Sequence, residues 1–254
     1  MTRKAHRYGM VIDVDRCIGC GACMVACAVE NNVAPSPLIR RPGTNEPKTI
    51  MPVRVERVAA GDQARFLPVM CMQCEHETPC VSVCPQQAVE VDRESGIVFQ
   101  MPQRCLGCRY CMTACPYHAR YFNWGDPEWP AGMETTLNPS VAPRMRGVVE
   151  KCNFCHGRLQ SAQDRAAASG KREIDAADYV PACVEACPTK AITFGDLADA
   201  NGNVARASRD AHAFRLLEKL GTEPKVYYRS ELEWVRDLME RGGAAQENVD
   251  RRQA

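Results

Sequence analysis

Residues 105–116 read Cys105-Leu-Gly-Cys108-Arg-Tyr-Cys111-Met-Thr-Ala-Cys115-Pro116: three cysteines at intervals of three, a fourth after four, then proline. No other stretch of the chain restricts its folding so severely. Three sulfurs so spaced wrap one corner of a compact group, and Gly107 allows backbone N–H groups to approach it. A helical turn after Cys111 carries Cys115 one turn onward, where it faces a second group. Pro116 then ends the turn, because proline cannot extend a helix.

A run of this spacing holds [4Fe–4S] cubes, three thiolates serving one cube and the fourth serving its neighbour. The pattern recurs along the chain. The first copy is Cys17-Ile-Gly-Cys20-Gly-Ala-Cys23-Met-Val-Ala-Cys27, followed by Ala28 instead of proline, so its helix should run a turn further. The second, Cys71-Met-Gln-Cys74-Glu-His-Glu-Thr-Pro-Cys80-Val-Ser-Val-Cys84-Pro85, has a longer gap between its second and third cysteines. The fourth is split: Cys152-Asn-Phe-Cys155, then 27 residues, then Cys183-Val-Glu-Ala-Cys187-Pro188. The chain is a fourfold internal repeat.

Sixteen cysteines in 254 residues leave three readings: disulfides, zinc and iron–sulfur. Disulfides suit short secreted chains, and residues 1–14 show a basic start without the apolar core of an export signal. Zinc ribbons use paired Cys-x-x-Cys knuckles and need no fourth cysteine before a proline. Four sets of four, three ending in Cys-x-x-x-Cys-Pro, favour four [4Fe–4S] clusters. The formal charge of +1 and the lack of a basic run argue against a nucleic-acid partner. Sixteen thiolates on four oxidised cubes would bring that charge to about −7. No apolar run reaches membrane-spanning length.

The remaining segments read as short strands and loops around the motifs. Strands are expected at 8–14, 50–58, 65–69, 88–92, 97–100, 121–124, 191–194 and 226–228, with hairpins across 59–63 and 93–96. Helices are expected at 22–31, 157–169, 209–220 and 230–240, the last opened by a capping box of Ser230 and Glu233. Residues 33–49 read as a Pro/Gly-rich surface loop, and 246–254 as a polar tail.

Motifs two and three are joined by a hairpin, so they should exchange their last cysteines; motifs one and four are then left to each other. Four ligand groups follow. They are Cys17, Cys20, Cys23 with Cys187; Cys27 with Cys152, Cys155, Cys183; Cys71, Cys74, Cys80 with Cys115; and Cys84 with Cys105, Cys108, Cys111. The expected fold is α+β: two ferredoxin-like two-cluster modules, 1–49 with 144–200 and 50–143, and a helical C-terminal extension, 201–254, that contacts a partner.

His76, His118 and His156 lie beside cysteines, but each set already has four thiolates, so they read as surface or supporting histidines. Arg16, Arg104 and Lys151 each precede a motif and read either as charge offsets for a cluster or as solvated loop charge. Trp124 and Trp129 read as packing or interface anchors, and Met24, Met72 and Met112 as core filler. There is no Gly-rich dinucleotide fingerprint, no Walker loop and no nucleophile–base pair. With every cube fully ligated the chain can move electrons but has no open iron for a substrate, so it is not an enzyme by itself.

The four-motif order, the long Cys74–Cys80 gap and the split fourth copy resemble the iron–sulfur subunit family of DMSO, polysulfide, thiosulfate and tetrathionate reductases. So do Arg146-Gly-Val-Val-Glu-Lys-Cys152-Asn-Phe-Cys155, Pro181-Ala-Cys183-Val-Glu-Ala-Cys187-Pro-Thr-Lys-Ala-Ile-Thr-Phe-Gly-Asp196-Leu and Leu220-Gly-Thr-Glu-Pro-Lys-Val-Tyr-Tyr228. The resemblance implies a non-catalytic subunit that carries electrons between a molybdopterin (molybdenum or tungsten) catalytic subunit and a quinone-reactive membrane subunit. Full retention of the cysteines is similar to the polysulfide-reductase-like branch. Three other readings remain at this stage: an iron–sulfur subunit of a quinol-oxidising complex without an active molybdenum centre, a free polyferredoxin carrier, and a zinc scaffold. The expected location is at a membrane through partners. That is the cytoplasmic side by the lack of a signal, or the periplasmic face if a twin-arginine partner carries the chain across, as the resemblance implies.

Overall fold

A computed structural model of the chain describes residues 6–35 and 50–240. Its elements in chain order are β1 (Tyr8–Asp13), α1 (Ala22–Glu30), β2 (Arg54–Ala60), β3 (Gln63–Val69), α2 (Pro79–Ser82), β4 (Val89–Val91), β5 (Val98–Gln100), α3 (Tyr110–Ala114), β6 (Tyr121–Phe122), β7 (Val149–Glu150), α4 (His156–Ala168), α5 (Ala182–Glu185), β8 (Ile192–Asp196), α6 (Asn203–Ser208), β9 (Ala213–Phe214), β10 (Val226–Arg229) and α7 (Glu233–Glu240). The fold is α+β, with small sheets holding short helical turns.

β1 is the middle of the largest sheet, whose order is β8-β1-β10-β9. It pairs antiparallel with β8 and parallel with β10. Strand alternation explains its wholly apolar run. Tyr8, Met10, Ile12 and Val14 enter the main core, while Val11 joins Leu197 and Val204 on the other face. Gly9 has no room for a side chain: a Cβ would lie 2.4 Å from Leu197 Cδ1 and 2.6 Å from the Lys225 carbonyl oxygen.

Three two-stranded ribbons surround the motifs: β2–β3, β4–β5 and β6–β7. β2 begins later than expected but runs on to Ala60, and β3 begins two residues earlier than expected, at Gln63. Ala60 pairs with Gln63, so the turn shrinks to Gly61-Asp62, with Gly61 at φ +59°. α1 packs on α5, and α2 on α3. α1 spans nine residues against four for α2, five for α3 and four for α5, the extra turn expected where no proline follows Cys27.

The C-terminal region differs from its expected helical form. Residues 209–220 do not form one helix. Asp210 Oδ1 accepts the His212 N–H at 2.8 Å, turning the chain, and Phe214 pairs with Tyr228 in the sheet. A single 3₁₀ turn, Glu218–Leu220, follows, and the helix of this region is the earlier α6. Ser230 does not cap α7 by a box with Glu233. Its hydroxyl donates to Asp15 Oδ1 at 2.7 Å and accepts the Leu232 N–H at 3.2 Å. Most of the expected 33–49 loop and the 246–254 tail lie outside the described residues. Among the described residues, no helix is long and apolar enough to cross a membrane.

Candidate iron–sulfur sites

The four motifs share one backbone kink. The residue two after each leading cysteine is left-handed: Gly19 at φ +71°, Gln73 at +52°, Gly107 at +70° and Phe154 at +53°. That kink turns the next sulfur back toward the first. Gly107 is compelled twice over, because a Cβ there would sit 2.1 Å from the Gly147 carbonyl oxygen. The Cys-Pro ends also repeat. Gln87, His118 and Lys190 are left-handed three residues after Cys84, Cys115 and Cys187. The next N–H then reaches the sulfur, Ala88 N to Cys84 Sγ at 3.2 Å and Ala191 N to Cys187 Sγ at 3.3 Å. The Ala119 N–H does the same at Cys115. The first motif, lacking proline, uses a side chain instead: Asn31 Nδ2 lies 3.6 Å from Cys27 Sγ.

The sixteen thiols gather in four groups, and none forms a disulfide. Cys17, Cys20, Cys23 and Cys187 line one cavity. Cys27, Cys152, Cys155 and Cys183 line another. Cys84, Cys105, Cys108 and Cys111 line a third. Cys71, Cys74, Cys80 and Cys115 act on one another electrostatically. Each group adjoins the next. Cys23 and Cys27 share α1, Cys152 feels Cys71, and α2, with Cys80 of the third group, packs on α3, with Cys111 of the fourth. Only the two end groups hold an exposed thiol, Cys20 and Cys108.

Burial pushes most of these thiols upward, Cys23 to about 11 and Cys74 and Cys152 to about 12. Cys187 goes the other way: burial raises it, but N–H groups of Ala191, Ile192 and Thr189 and the Thr189 hydroxyl outweigh that. Thiols held protonated in a dry site ionise when a cationic centre arrives, so loading releases protons.

Buried cations face the groups. Arg120 is 4% exposed, donates to Gln100 Oε1, and leaves Nε and one terminal nitrogen without a hydrogen-bond partner. It acts on Cys80, Cys111 and Cys71. Lys151 is 3% exposed and donates to the Val98 carbonyl oxygen, to that of Cys152 at 3.0 Å, and to Asn153 Oδ1 at 3.1 Å. Lys225 is fully buried, donates to the Gly96 carbonyl oxygen at 2.6 Å, and is pulled down by burial to about 8. An unpaired buried cation is costly, so these groups are built to receive negative charge.

The donor set fits an iron–sulfur cube better than a single ion. Among the described residues, no three His, Cys, Asp or Glu side chains converge as one metal ion needs, whereas zinc draws four sulfurs to about 2.3 Å from one centre. Thiols standing around a void suit a larger group. No histidine lines the three cysteine cavities. His76 and His118 are exposed, and His156 stacks on Phe99. Of the basic residues before the motifs, Arg104 is exposed and pairs with Glu90, Arg16 is exposed and donates to the Thr189 carbonyl oxygen, and Lys151 alone is buried. Trp124 packs edge-on against Phe122 beneath Arg109, and Met24, Met72 and Met112 fill core.

Two functional residues lie outside the sequence expectations, Arg120 and Gln73. Gln73 donates to the Cys152 carbonyl oxygen and accepts the Val98 N–H, both at 2.8 Å, with no exposed surface. An Arg inside an otherwise apolar stretch, 119–122, is the sequence signal for Arg120.

Cysteine quartets on short helical turns between small sheets define a ferredoxin-type protein carrying several [4Fe–4S] clusters. Comparison with known families agrees: a 4Fe-4S dicluster domain matches residues 16–88 and another matches 63–131. Two dicluster domains imply four [4Fe–4S] clusters, which sixteen cysteines fit. The two matches take motifs one with two and two with three, whereas in space the thiols of motif one stand with those of motif four; the matches follow chain order. The chain is 51% identical to the menaquinone reductase iron–sulfur cluster-binding subunit of Nitratidesulfovibrio vulgaris, over 91% of this chain and 92% of that one. It is 39% identical to a putative dimethyl sulfoxide reductase iron–sulfur subunit of Halobacterium salinarum, over 87% and 78%. It is 36% identical to a selenate reductase subunit of Mesobacillus selenatarsenatis, over 86% and 70%. The chain belongs to the iron–sulfur subunit family of these oxidoreductases.

Proposed function

We propose that this chain relays single electrons between a molybdopterin catalytic subunit and a quinone-reactive membrane subunit, and is not itself catalytic. The supporting observation is that the four thiol groups adjoin one after another, with the exposed thiols, Cys20 and Cys108, in the two end groups. Cys17, Cys20, Cys23 and Cys187 hold the first cluster; Cys27, Cys152, Cys155 and Cys183 the second; Cys71, Cys74, Cys80 and Cys115 the third; Cys84, Cys105, Cys108 and Cys111 the fourth. When bound, each cluster accepts and passes on one electron. The protein's part is to hold the groups in line, to exclude water from the two inner ones, and to supply N–H donors and cations to the sulfurs. In this reading 1–49 with 144–200 forms one module and 50–143 the other.

One observation favours a second reading. The relative from Nitratidesulfovibrio vulgaris is named for menaquinone, and the likeness to it spans nearly both chains. A quinone-linked complex without an active molybdenum centre would use the same wire. Purification of the native protein from solubilised membranes, with a molybdenum assay on what comes with it, decides. A large partner with molybdenum supports the first reading, and a partner without it the second. A chain that comes alone would be a free carrier.

A further inference from the structure

We propose that the third site, formed by Cys71, Cys74, Cys80 and Cys115, holds an added electron more tightly than the other three. This rests on the reading above, in which each thiol group carries one cluster. Reduction takes one electron from a donor and places one more negative charge among the sulfurs. A site then takes the electron readily in proportion to the uncompensated positive charge it can see.

The four sites differ sharply on this count. At the first, the nearby basic residue Arg16 is exposed and spends its guanidinium on the Thr189 carbonyl oxygen. At the second, Lys151 acts on Cys152, but the other cations come with their own carboxylates: Arg144 with Glu150 at 2.6 Å, and Arg158 with Glu30 at 2.8 Å and Glu185 at 2.7 Å. Glu30 also opposes negative charge at Cys155. At the fourth, Arg120 reaches Cys111, but Cys108 opens to solvent.

The third site sees both buried cations that lack a carboxylate, where the second sees only Lys151 and the fourth only Arg120. Arg120 and Lys151 both act on Cys80, and Lys225 acts near Cys71 and Cys74. Lys225 has Glu75 nearby, itself bridged to Arg7. Arg120 and Lys151 hydrogen-bond only to amide oxygens, carbonyl oxygens and thiols, and among the described residues neither forms a salt bridge with a carboxylate. Burial by itself disfavours the extra electron. It also removes the water that would screen these two cations, so their pull on the site is stronger than any surface charge could supply.

The test is a potentiometric titration of the anaerobically prepared, cluster-loaded full chain. One-electron mediators and dithionite supply the electrons, and electron paramagnetic resonance resolves the reduced centres. Arg120 is shared by the third and fourth sites and Lys151 by the second and third, so the signal moved by both Arg120→Gln and Lys151→Gln belongs to the third site. That signal is expected to be the first reduced in the unaltered chain. At its original midpoint, Arg120→Gln should cut its reduced-to-oxidised ratio at least tenfold, which is 59 mV for one electron. Arg120→Lys should restore part of the loss, and the exposed Arg104→Gln should move nothing. A first-reduced signal that neither substitution moves overturns the inference, as does a shared shift in a later-reduced one. If Arg120→Gln loses iron, Lys151→Gln decides by the same criterion. Iron analysis separates the two levels: well under about sixteen irons in the unaltered chain defeats the four-cluster reading, whereas about sixteen irons with an unmoved first signal defeats this inference alone.

Discussion

Motifs one and three share the left-handed kink of motifs two and four, yet they are built from different side chains. The left-handed residue is Gly19 and Gly107 in the outer pair, but the fully buried Gln73 and Phe154 in the inner pair. The residue after the leading cysteine is Ile18 and Leu106 outside, 60% and 66% exposed, against buried Met72 in motif two. The outer loops are thin walls between a thiol group and solvent. The inner loops carry side chains that tie one group to the next. One ligand geometry therefore serves two purposes, access at the ends and cohesion in the middle.

Substitutions can break or sharpen this contrast. The largest effect is expected in the inner loops. Gln73→Ala strands two buried partners, the Cys152 carbonyl and the Val98 N–H, at about 1–3 kcal/mol each, and leaves a cavity besides. Denaturant unfolding of the loaded chain should show a loss of about 4 kcal/mol. Gly107→Ala should come next, at about 3 kcal/mol, since a strained φ at about 1–2 kcal/mol adds to a backbone collision. Gly21→Ala is its control: φ is +73°, but nothing lies within 4 Å of the added carbon, so only the conformational cost of about 1 kcal/mol remains. If the two glycines cost the same, the crowded outer wall is not as described.

A pH effect of intermediate size follows for the iron-free chain. Cys74 and Cys152 stay protonated to about 12 when folded, against 9.0 for an unstrained thiol. The unfolded chain therefore releases protons first. Folded stability from these groups is fully present below about pH 9 and falls as pH rises toward about 12. Thermal melts of chelated protein should move down across that window, and a rise would contradict the assigned burial. The smallest effect on stability belongs to the exposed apolar residues. Ile18→Ser and Leu106→Ser should change it by less than about 0.5 kcal/mol. If the outer thiol groups meet partners, both should weaken complex formation in a binding assay while iron content stays unchanged.

Much of this architecture can be read in advance because the cysteines carry their own spacing rules. The turn lengths follow from the prolines: α1 outruns α2, α3 and α5 because Ala28, not proline, follows Cys27. Strands such as β1 announce themselves by a β-branched, apolar run. What resisted reading depended on distant parts of the chain. Residues 209–220 have helical periodicity, but Phe214 gains more by pairing beside Tyr228 in the sheet, a contact set by β10 rather than by local preference. Ser230 has the look of a cap until Asp15, far away in sequence, claims its hydroxyl. Gln73 could not be weighed, because a polar residue in a loop says nothing of what surrounds it, and Arg120 stood out only by its apolar neighbours. Lys151, which like Arg16 and Arg104 precedes a motif, differs from them in being buried, and burial is a property of the fold.

The central claim is that four separate thiol quartets, and not fewer, each bind a four-iron cube. Iron and acid-labile sulfide analysis of anaerobically purified chain, with spins counted after full reduction, tests it directly. About sixteen irons, sixteen sulfides and four spins per chain are expected; about eight irons, or zinc in their place, would contradict it.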